Sequence, residues 1–600
     1  MLTHRIVIAI LILSLAIFDQ QAHASITKIA LSNDDAPGVT GGKFGVISDA
    51  VLNEFGQLVF SSQLKTGLGG VDPNDDDGVW VFDGATNSLL VREGSGGVPG
   101  LAGASFETFH DFAIDKHGGV LLSSSLKVGP GGITSDSDQG LWKYSGGVGS
   151  EIARTGSGNV VDVPGASFQG VSFPATMSTT GQVVYLGFID VTSEVPSTEN
   201  QGIWSWTETE HILIAREGVT SPTGAPGAAI DSLADARVND DEEIIYRALL
   251  VNGGSISPLN NLGTWKSSPG GETQILRIGV DQAPGVGSSD FEFIGDPGIN
   301  NADQIAFRGD LIHDSDVDST NDIGIWIYTG TTGTLAARTG VGGVPEIPGA
   351  NFIELNTPLL SDSGKALVEA QLATGPGGVT ANDDRGLWMF DGVESSLVAR
   401  TGSGGVPGLA GASFLEFETL AMNGAGLAAV KATLQMSEVV TSGNDEGLWL
   451  LDSEGNGVLV AREGEQMEGL TIAGLSFFGD GGNNDGHPIS FNDRNELAFQ
   501  VDFTNGDSGL FLFSSLSADF DLDGDVDSDD LTDPTLGWEA RYGVDLDGSD
   551  FLAWQQQYGN GLGAVSSSAA VVPEPTTSLL LGASILSSIQ LLRLRGNLSA

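Results

Sequence analysis

The strongest constraint in this 600-residue chain is a unit of 61 or 62 residues that recurs along most of its length. A tryptophan with a glycine two positions before it marks seven copies, and phenylalanine replaces it in the last. The markers are Trp80, Trp142, Trp204, Trp265, Trp326, Trp388, Trp449 and Phe511. A fixed period of this length is typical of a repeat architecture, in which each copy buries its core against its neighbours.

Each copy has the pattern of four short β-strands. In the second copy the strands are SFETFHDFAI, GVLLSSSLKV, GLWKYS and EIARTG, separated by residues typical of turns. Four antiparallel strands repeated eight times predict an all-β fold. We therefore predict an eight-bladed β-propeller over residues 25–515, with the tryptophans packed in the core between blades.

The two ends of the repeat array predict how the ring closes. The eighth copy stops after GLFLFSS and supplies three strands only, whereas TKIALSNDDAPG near the N-terminus aligns with the fourth strand of other copies. Unpaired sheet edges promote aggregation. The N-terminal strand is therefore expected to complete the last blade.

A second motif, N-x-x-G-x-x-A/V-F, recurs between the first and second strands. Asn53–Phe60 fits it well, and Asn492–Phe499 departs from it at the glycine. With this motif the copies resemble a family of secreted bacterial tandem-repeat proteins. The resemblance implies export and no particular activity.

Two polar positions share the period of the tryptophans. An aspartate or asparagine lies two residues before each marker glycine, at Asp76, Asp138, Asn200, Asn261, Asp322, Asp384, Asp445 and Asp507. An arginine ends the fourth strand in seven copies, at Arg92, Arg154, Arg216, Arg277, Arg338, Arg400 and Arg462. Oxygen ligands suit Ca²⁺, but the antiparallel third and fourth strands bring both positions together, so we predict structural Asx–Arg pairs in preference to cation sites.

Catalytic signals are sparse in the repeats. The sequence has no nucleophile elbow, phosphate-binding loop or zincin motif. One irregular stretch of the eighth copy, GDGGNNDGHPISFND, brings together Asp480, Asn483, Asn484, Asp485 and His487. Its composition favours an ordinary tight loop, and a small cation or catalytic pocket is the alternative.

The charge of the chain excludes one class of partner. It has 78 acidic and 25 basic residues, a formal net charge of −53, and no basic patch, so nucleic acid is not expected to bind. The absence of cysteine excludes disulfides and thiolate metal sites.

Both ends of the chain have targeting features. Residues 1–24 combine Arg5, an apolar run from Ile6 to Phe18 and small residues before the expected cleavage site, which predicts a secretory signal peptide. Near the C-terminus, Val572–Pro575 precede a short apolar segment that ends in a basic stretch.

The C-terminal features, at residues 573–600, resemble a PEP-CTERM sorting signal with a short transmembrane segment. The resemblance implies recognition by an exosortase, removal of the tail, and export to the outer surface or extracellular matrix of a Gram-negative bacterium. A plain C-terminal membrane anchor is the alternative and gives nearly the same location.

The strongest chemical signal is DFDLDGDVDSDD, which begins at Asp519. Acids occupy loop positions 1, 3, 5, 7, 9 and 12, at Asp519, Asp521, Asp523, Asp525, Asp527 and Asp530. Ca²⁺ needs several converging oxygens, and Gly524 at position 6 permits the sharp turn between them. We predict one Ca²⁺ site.

This loop and its surroundings, residues 516–563, resemble a type I dockerin, a small helical calcium module followed here by a linker at 564–572. A second loop copy is reduced, with Gly543 and Trp554 at its first and twelfth positions, and a helix is predicted from Ser549 to Tyr558. The resemblance implies docking to a cohesin-like partner. A calcium-stiffened stalk is the alternative that the reduced second copy favours.

Together these features predict an exported surface or matrix protein that binds an extracellular glycan or protein ligand or serves a structural role. Its propeller is expected to be displayed on the calcium-stiffened stalk. The alternative is a propeller enzyme, a lyase or glycosidase, that degrades extracellular polysaccharide. Paired acids that lie outside the repeat pattern and face the central channel would favour the enzyme.

Overall fold

The computed structural model describes two parts of the chain. It covers residues 25–515 without 159, 172–174, 193, 220, 480–484, 486 and 488, and then residues 518, 520, 526, 528–532, 537–542 and 548–558. The contacts divide the chain after Ser515. The predicted signal peptide, linker and sorting signal lie outside the described residues. No helix in the described part is long and apolar enough to cross a membrane.

The repeats form eight antiparallel sheets, numbered here as blades in chain order. Blade 1 contains β2 (Phe44–Leu52), β3 (Leu58–Leu64), β4 (Asp77–Phe82) and β5 (Asn87–Arg92). Blade 2 contains β6 (Phe106–Ile114), β7 (Val120–Leu126), β8 (Gln139–Ser145) and β9 (Val148–Arg154). Blade 3 contains β10 (Phe168–Val171), β11 (Thr176–Met177), β12 (Val183–Ile189), β13 (Gln201–Trp206) and β14 (His211–Arg216). Blade 4 contains β15 (Ile230–Val238), β16 (Ile244–Leu250), β17 (Leu262–Ser268) and β18 (Gly271–Arg277).

The second half of the ring repeats this plan. Blade 5 contains β19 (Phe291–Ile294), β20 (Gly298–Ile299), β21 (Gln304–Leu311), β22 (Ile323–Thr329) and β23 (Thr332–Arg338). Blade 6 contains β24 (Phe352–Leu355), β25 (Leu359–Leu360), β26 (Ala366–Leu372), β27 (Arg385–Phe390) and β28 (Ser395–Arg400). Blade 7 contains β29 (Phe414–Met422), β30 (Ala428–Leu434), β31 (Glu446–Leu451) and β32 (Gly457–Arg462). Blade 8 contains β33 (Gln466–Met467), β34 (Leu470–Ser476), β35 (Glu496–Phe503), β36 (Ser508–Ser514) and β1 (Ser25–Leu31).

The strand pairing confirms the eight-bladed propeller and its closure. Within each blade the strands pair in chain order, and the first strands of successive blades contact one another from blade 1 to blade 7, which makes them the innermost strands. β1 is antiparallel to β36, with Ile26 opposite Phe513 and Leu31 opposite Gly509. The N-terminal strand therefore covers the edge that the last repeat leaves open.

Five of the seven marker tryptophans donate a hydrogen bond to the loop that precedes their blade, and the N–H groups of Trp142 and Trp388 are buried without a partner. All seven are fully buried, as is Phe511 in the last blade. In blade 1 the Trp80 indole N–H donates to the Pro37 carbonyl at 3.0 Å, and its ring meets that of Phe44 edge-on, with centroids 5.0 Å apart. Because the ring is apolar and its N–H has a partner, the residue fills the core without an unsatisfied polar group.

The turn between the first and second strands joins every blade to the next. In blade 5 the buried Asn300 accepts backbone N–H groups of Ala302 and Gln304 through Oδ1, and its Nδ2 donates to the Ser361 carbonyl of blade 6 at 2.7 Å. In blade 8 the Nδ2 of Asn492 donates to the Asn53 carbonyl of blade 1 at 2.9 Å. Hydrogen bonds at this turn span all eight junctions. The N-x-x-G motif therefore shapes the turn and also links neighbouring blades.

The second part of the chain is described by itself. It has three short helices, α1 (Asp529–Thr532), α2 (Trp538–Arg541) and α3 (Gly548–Gln557). The helix predicted from Ser549 corresponds to α3. Its Trp554 is buried against Ala518, Phe520 and Val526, so the segment has an apolar core of its own.

Deletion of β1, residues 25–31, is expected to lower the melting temperature and cause aggregation, because it exposes the whole edge of β36. Thermal unfolding and light scattering would measure both effects. Thr27→Ala, a change at an exposed position of the same strand, is the matched control and should behave as wild type. A soluble deletion variant with an unchanged melting temperature would show that β1 is not needed for closure.

Candidate functional site

The innermost strands present two neighbouring side chains to the channel at the same place in most blades. In every blade the pairing between the first and second strands shifts register near the start of the first strand, which is a β-bulge. As a result consecutive side chains are exposed, as with Ile353 and Glu354 in blade 6 and Leu415 and Glu416 in blade 7.

The second strands add a position that differs from blade to blade. From blade 1 to blade 8 its residues are Ser61, Ser123, Leu186, Arg247, Arg308, Glu369, Lys431 and Gln500. Charged side chains occupy it in blades 4 to 7 only. The charged side chains at this variable position therefore lie on one side of the ring.

Blades 4 and 5 use this position for a neutralised contact. The Arg247 guanidinium pairs with Asp235 of its own blade and with Asp296 of blade 5, the latter at 2.7 Å. It also lies over the Phe293 ring, 5.7 Å from the centroid. Two carboxylates and an aromatic face surround one cation, so this contact is a structural link between blades.

Blades 5, 6 and 7 instead enclose a cavity of about 720 Å³. Its polar lining includes Arg308, Glu354, Asn356, Glu369, Gln371 and Glu418. Ile353 and Leu420 supply apolar surface. The volume and the mixed lining are those of a site for a small ligand or one unit of a polymer.

Glu369, on β26, lies half-buried in this cavity. The Asn356 Nδ2 donates to its Oε2 at 2.8 Å, and Arg385 lies 3.7 Å from its Oε1. Burial raises the pKa of Glu369 above its usual value, and the contacts with Asn356 and Arg385 offset this only in part.

Glu418, on β29, is held differently. The Lys431 Nζ lies 2.8 Å from its Oε2, and the Thr433 hydroxyl donates to its Oε1. Burial opposes ionisation, but the hydrogen bonds from Lys431 and Thr433 outweigh it and lower the pKa of Glu418. Two of the three carboxyl groups that line the cavity, those of Glu369 and Glu418, therefore differ in acidity.

Two described residues of the irregular stretch of blade 8, Asp485 and Ile489, accept backbone hydrogen bonds from other blades. The carbonyl of Asp485 accepts the Val238 N–H of blade 4 at 3.2 Å, and the carbonyl of Ile489 accepts the Leu52 N–H of blade 1 at 3.0 Å. Blades 4 and 8 lie opposite each other in a ring of eight. Asp485 therefore lies across the channel from its own blade, at the end where the first-to-second-strand turns lie.

The candidate pocket in this loop is described in part. Asp480, Asn483 and Asn484 lie outside the described residues, so the predicted grouping stays a prediction. Asp485 is buried and its Oδ1 accepts the His487 N–H at 3.0 Å. Burial lowers the pKa of His487, and the charge of Asp485 opposes this.

The predicted Asx–Arg pairing is wrong by one residue, because the arginine contacts the residue that precedes the predicted Asx. Arg400 donates to the Asp383 carbonyl through Nε at 2.6 Å and to the Asp383 carboxylate through Nη2 at 2.9 Å. Asp384, the predicted partner, accepts instead from Gln371 at 3.0 Å. Successive side chains of an extended segment point to opposite sides, so Asp383 faces the fourth strand and Asp384 the second. Arg92 makes the same contact with Asp75.

The predicted Asx positions do not form a repeated cation ring. Among the described residues one group of acids is close enough to share an ion, that of Asp76, Asp77 and Glu93 in blade 1. Burial, then the charge of Asp76, raises the pKa of Asp77, and burial also raises that of Glu93. In blade 3, Asn200 and Gln201 occupy the positions of Asp76 and Asp77, so this group of acids is not a feature that all blades share.

The predicted calcium loop lies mostly outside the described residues. Asp519, Asp521, Asp523, Asp525 and Asp527 are among the residues not described. Asp530 at position 12 is fully buried, and its Oδ1 accepts the Phe520 N–H. Asp530, at position 12, therefore lies close to the start of the loop. This placement is the one needed if the first and last acids of the loop bind the same ion.

The fold and the channel define the chain as an eight-bladed β-propeller protein. The model of a family of unknown function, DUF7453, matches residues 12–205 and 186–517. The chain belongs to this family. Comparison with curated proteins finds no match.

Several solved propellers are similar in architecture. The propeller domain of the Trilobed protease from Pyrococcus furiosus is 8% identical, covers 70% of this chain and 96% of that one, and has a TM-score of 0.33. The Dos1 propeller is 9% identical over 81% and 94% of the two chains, with a TM-score of 0.33. A PL25 ulvan lyase is 10% identical over 74% and 98%, with a TM-score of 0.27. Similarity at this level is not a basis for assigning an activity.

Arg400→Ala and Asp383→Asn are expected to be coupled in a double-mutant cycle. Each single change should lower the free energy of unfolding by about 1 to 3 kcal/mol, because both side chains are largely buried. Hydrogen bonds from Thr380 and the charge of Arg400 outweigh burial and lower the pKa of Asp383. The coupling should therefore be present at neutral pH and fade as Asp383 becomes protonated in acid.

Asp384→Asn is the matched control for this cycle, since it changes the neighbouring acid and leaves the arginine contact intact. Chemical denaturation of the four variants gives the coupling energy. Coupling of Arg400 to Asp384 in place of Asp383 would contradict the corrected pairing.

Proposed function

We propose that the protein is an exported binding protein whose propeller holds an extracellular glycan in the cavity between blades 5, 6 and 7. The observation that carries the proposal is the cavity itself, because its polar side chains occupy positions that vary among the repeats. The tryptophans that build the core recur from blade to blade, whereas these side chains do not. A variable set that surrounds one cavity is expected of a binding site.

The lining favours a hydroxyl-rich ligand. Asn356 and Gln371 can each donate and accept hydrogen bonds, and Ile353 offers an exposed apolar surface for the face of a sugar ring. Three carboxylates and one guanidinium line the cavity. An anionic polysaccharide would be repelled, so the ligand is a neutral or amino-sugar glycan.

Glu354→Lys should weaken binding of the preferred glycan at least about tenfold, because it places a long side chain at the mouth of the cavity. Calorimetric titration of the mature protein with oligosaccharides of neutral and amino sugars would measure this. Glu107→Lys reverses a charge on the equivalent bulge of blade 2 and should leave binding unchanged. Equal losses in both variants, or binding to neither class of sugar, would contradict the proposal.

The ends of the chain support an extracellular location. Residues 1–24 have the pattern of a signal peptide, and residues 573–600 resemble a sorting signal read by an exosortase. Export would place the propeller on the outer surface or in the extracellular matrix, where glycans are the abundant ligands.

The acidic loop from Asp519 to Asp530 is proposed to bind one Ca²⁺ and to stiffen the stalk that carries the propeller. Seven acids in twelve residues, the six at the predicted ligand positions and Asp529, repel one another, and a divalent cation would relieve that repulsion. When bound, the ion would supply a fixed centre for the turn. Docking to a cohesin-like partner remains the alternative for the same segment.

Asp519→Ala combined with Asp530→Ala should abolish one Ca²⁺-binding event in a calorimetric titration of the mature protein. The unfolding transition of the propeller should be the same with Ca²⁺ and with a chelator, since its blades close without the ion. Asp545→Ala in the reduced second copy is the control. Loss of binding in that control, or two equivalent events in the wild type, would contradict a single site.

A further inference from the structure

We propose that Glu369 and Glu418 are the acid and the base of a glycoside hydrolase site in the cavity that blades 6 and 7 share. This inference rests on the proposal that the cavity binds a glycan, and it adds a reaction to that binding. Both carboxyl groups line the same cavity, one from the second strand of blade 6 and the other from the first strand of blade 7.

Neither acid belongs to the repeated scaffold. The position of Glu369 carries serine, leucine, arginine, lysine or glutamine in the other blades. The position of Glu418 is held by Ser48, His110, Ala234, Gly295, Asn356 and Ser476 in the other blades whose residue there is described. The fold that the blades share therefore requires neither acid, and both are particular to this cavity.

The same second-strand position carries opposite charges in blades 4 and 6. Blade 4 directs a cation, Arg247, at an acid of blade 5, and the two neutralise each other. Blade 6 directs Glu369 towards the cavity that contains Glu418 of blade 7. Burial, with the charges of Glu354 and Glu416, disfavours the ionised state of Glu369, and a buried acid beside a cavity is a candidate for catalysis.

The surroundings give the two groups different roles. Lys431 and the Thr433 hydroxyl hold the two oxygens of Glu418 and favour its ionised form. Glu369 is more buried, with 18% of its side chain exposed against 30% for Glu418, and its hydrogen-bonding partner Asn356 is neutral. Because its surroundings favour the protonated form of Glu369 and the ionised form of Glu418, we assign Glu369 as the acid and Glu418 as the base.

The reaction is hydrolysis of a glycosidic bond by water. Protonated Glu369 gives its proton to the glycosidic oxygen as the bond from that oxygen to the anomeric carbon breaks. Ionised Glu418 takes a proton from a water molecule, whose oxygen forms the new bond to the anomeric carbon. The products are two shorter sugars, and a proton passes from Glu418 to Glu369 through solvent to restore the site.

The site is built so that a polymer can reach it. The first strand of blade 6 is broken between β24 and β25, and the intervening Asn356 and Thr357 are exposed and line the cavity. A polymer chain can therefore reach the two acids along this exposed segment.

The test measures hydrolysis and binding in the same samples of mature protein. The substrates are oligosaccharides from cellulose, xylan, starch and chitosan, and the readout is new reducing ends. Glu369→Gln and Glu418→Gln should each lower kcat at least about 100-fold and leave the affinity for the substrate within about threefold. Glu107→Gln, an exposed acid of blade 2, should retain full activity.

Two further readouts separate catalysis from folding. The wild-type rate should have a bell-shaped pH profile, and Glu418→Gln should remove its acidic limb. Glu369→Gln should keep or raise the melting temperature, because it removes a carboxyl group whose ionised form is disfavoured by burial.

Each other result overturns the inference. Binding without hydrolysis by the wild type leaves the binding proposal intact and rejects catalysis. Hydrolysis that survives both substitutions rejects this pair, and a lower melting temperature with unchanged kcat assigns the pair to structure. The absence of binding and hydrolysis rejects both proposals.

Discussion

The propeller depends on the hydrogen bond that passes from each first hairpin to the next blade. A buried side chain such as Asn300 fixes its own turn and donates across the junction. Asparagine side chains make this bond at five of the eight junctions, and other hydrogen bonds of the same turn span the remaining three. An amide can do this because it accepts and donates at once. Removing it would leave buried backbone groups in two blades without partners, so the motif serves the turn and the ring together.

A scaffold held at its turns and by its tryptophans leaves other positions able to vary. The inner strands bulge at the same place in every blade, so neighbouring side chains reach the channel while the pairing resumes on both sides of the bulge. Variation at these positions and on the second strands gives an arginine link between blades 4 and 5 and an acid-lined cavity between blades 5 and 7. The repeat explains the architecture, and the departures from it carry the chemistry.

Much of this organisation could be predicted from periodicity. The spacing of the tryptophans gave the number of blades, and the missing fourth strand of the last copy predicted that β1 pairs with β36, as observed. The arginine pairing was predicted one residue away from its true partner. Counting along the chain places Arg400 near both Asp383 and Asp384, and only the direction of each side chain distinguishes them.

The sequence by itself determined the eight blades, the closing strand and the core, because these follow from a pattern repeated in one dimension. Only the tertiary structure decided that Glu369 and Glu418 share a cavity and that Asp485 crosses the channel to blade 4. Glu369 and Glu418 lie 49 positions apart in different blades, with nothing in either local pattern to connect them. The reason is geometric: closing the ring fixes which faces of neighbouring blades meet, and the meeting of those faces creates the cavity.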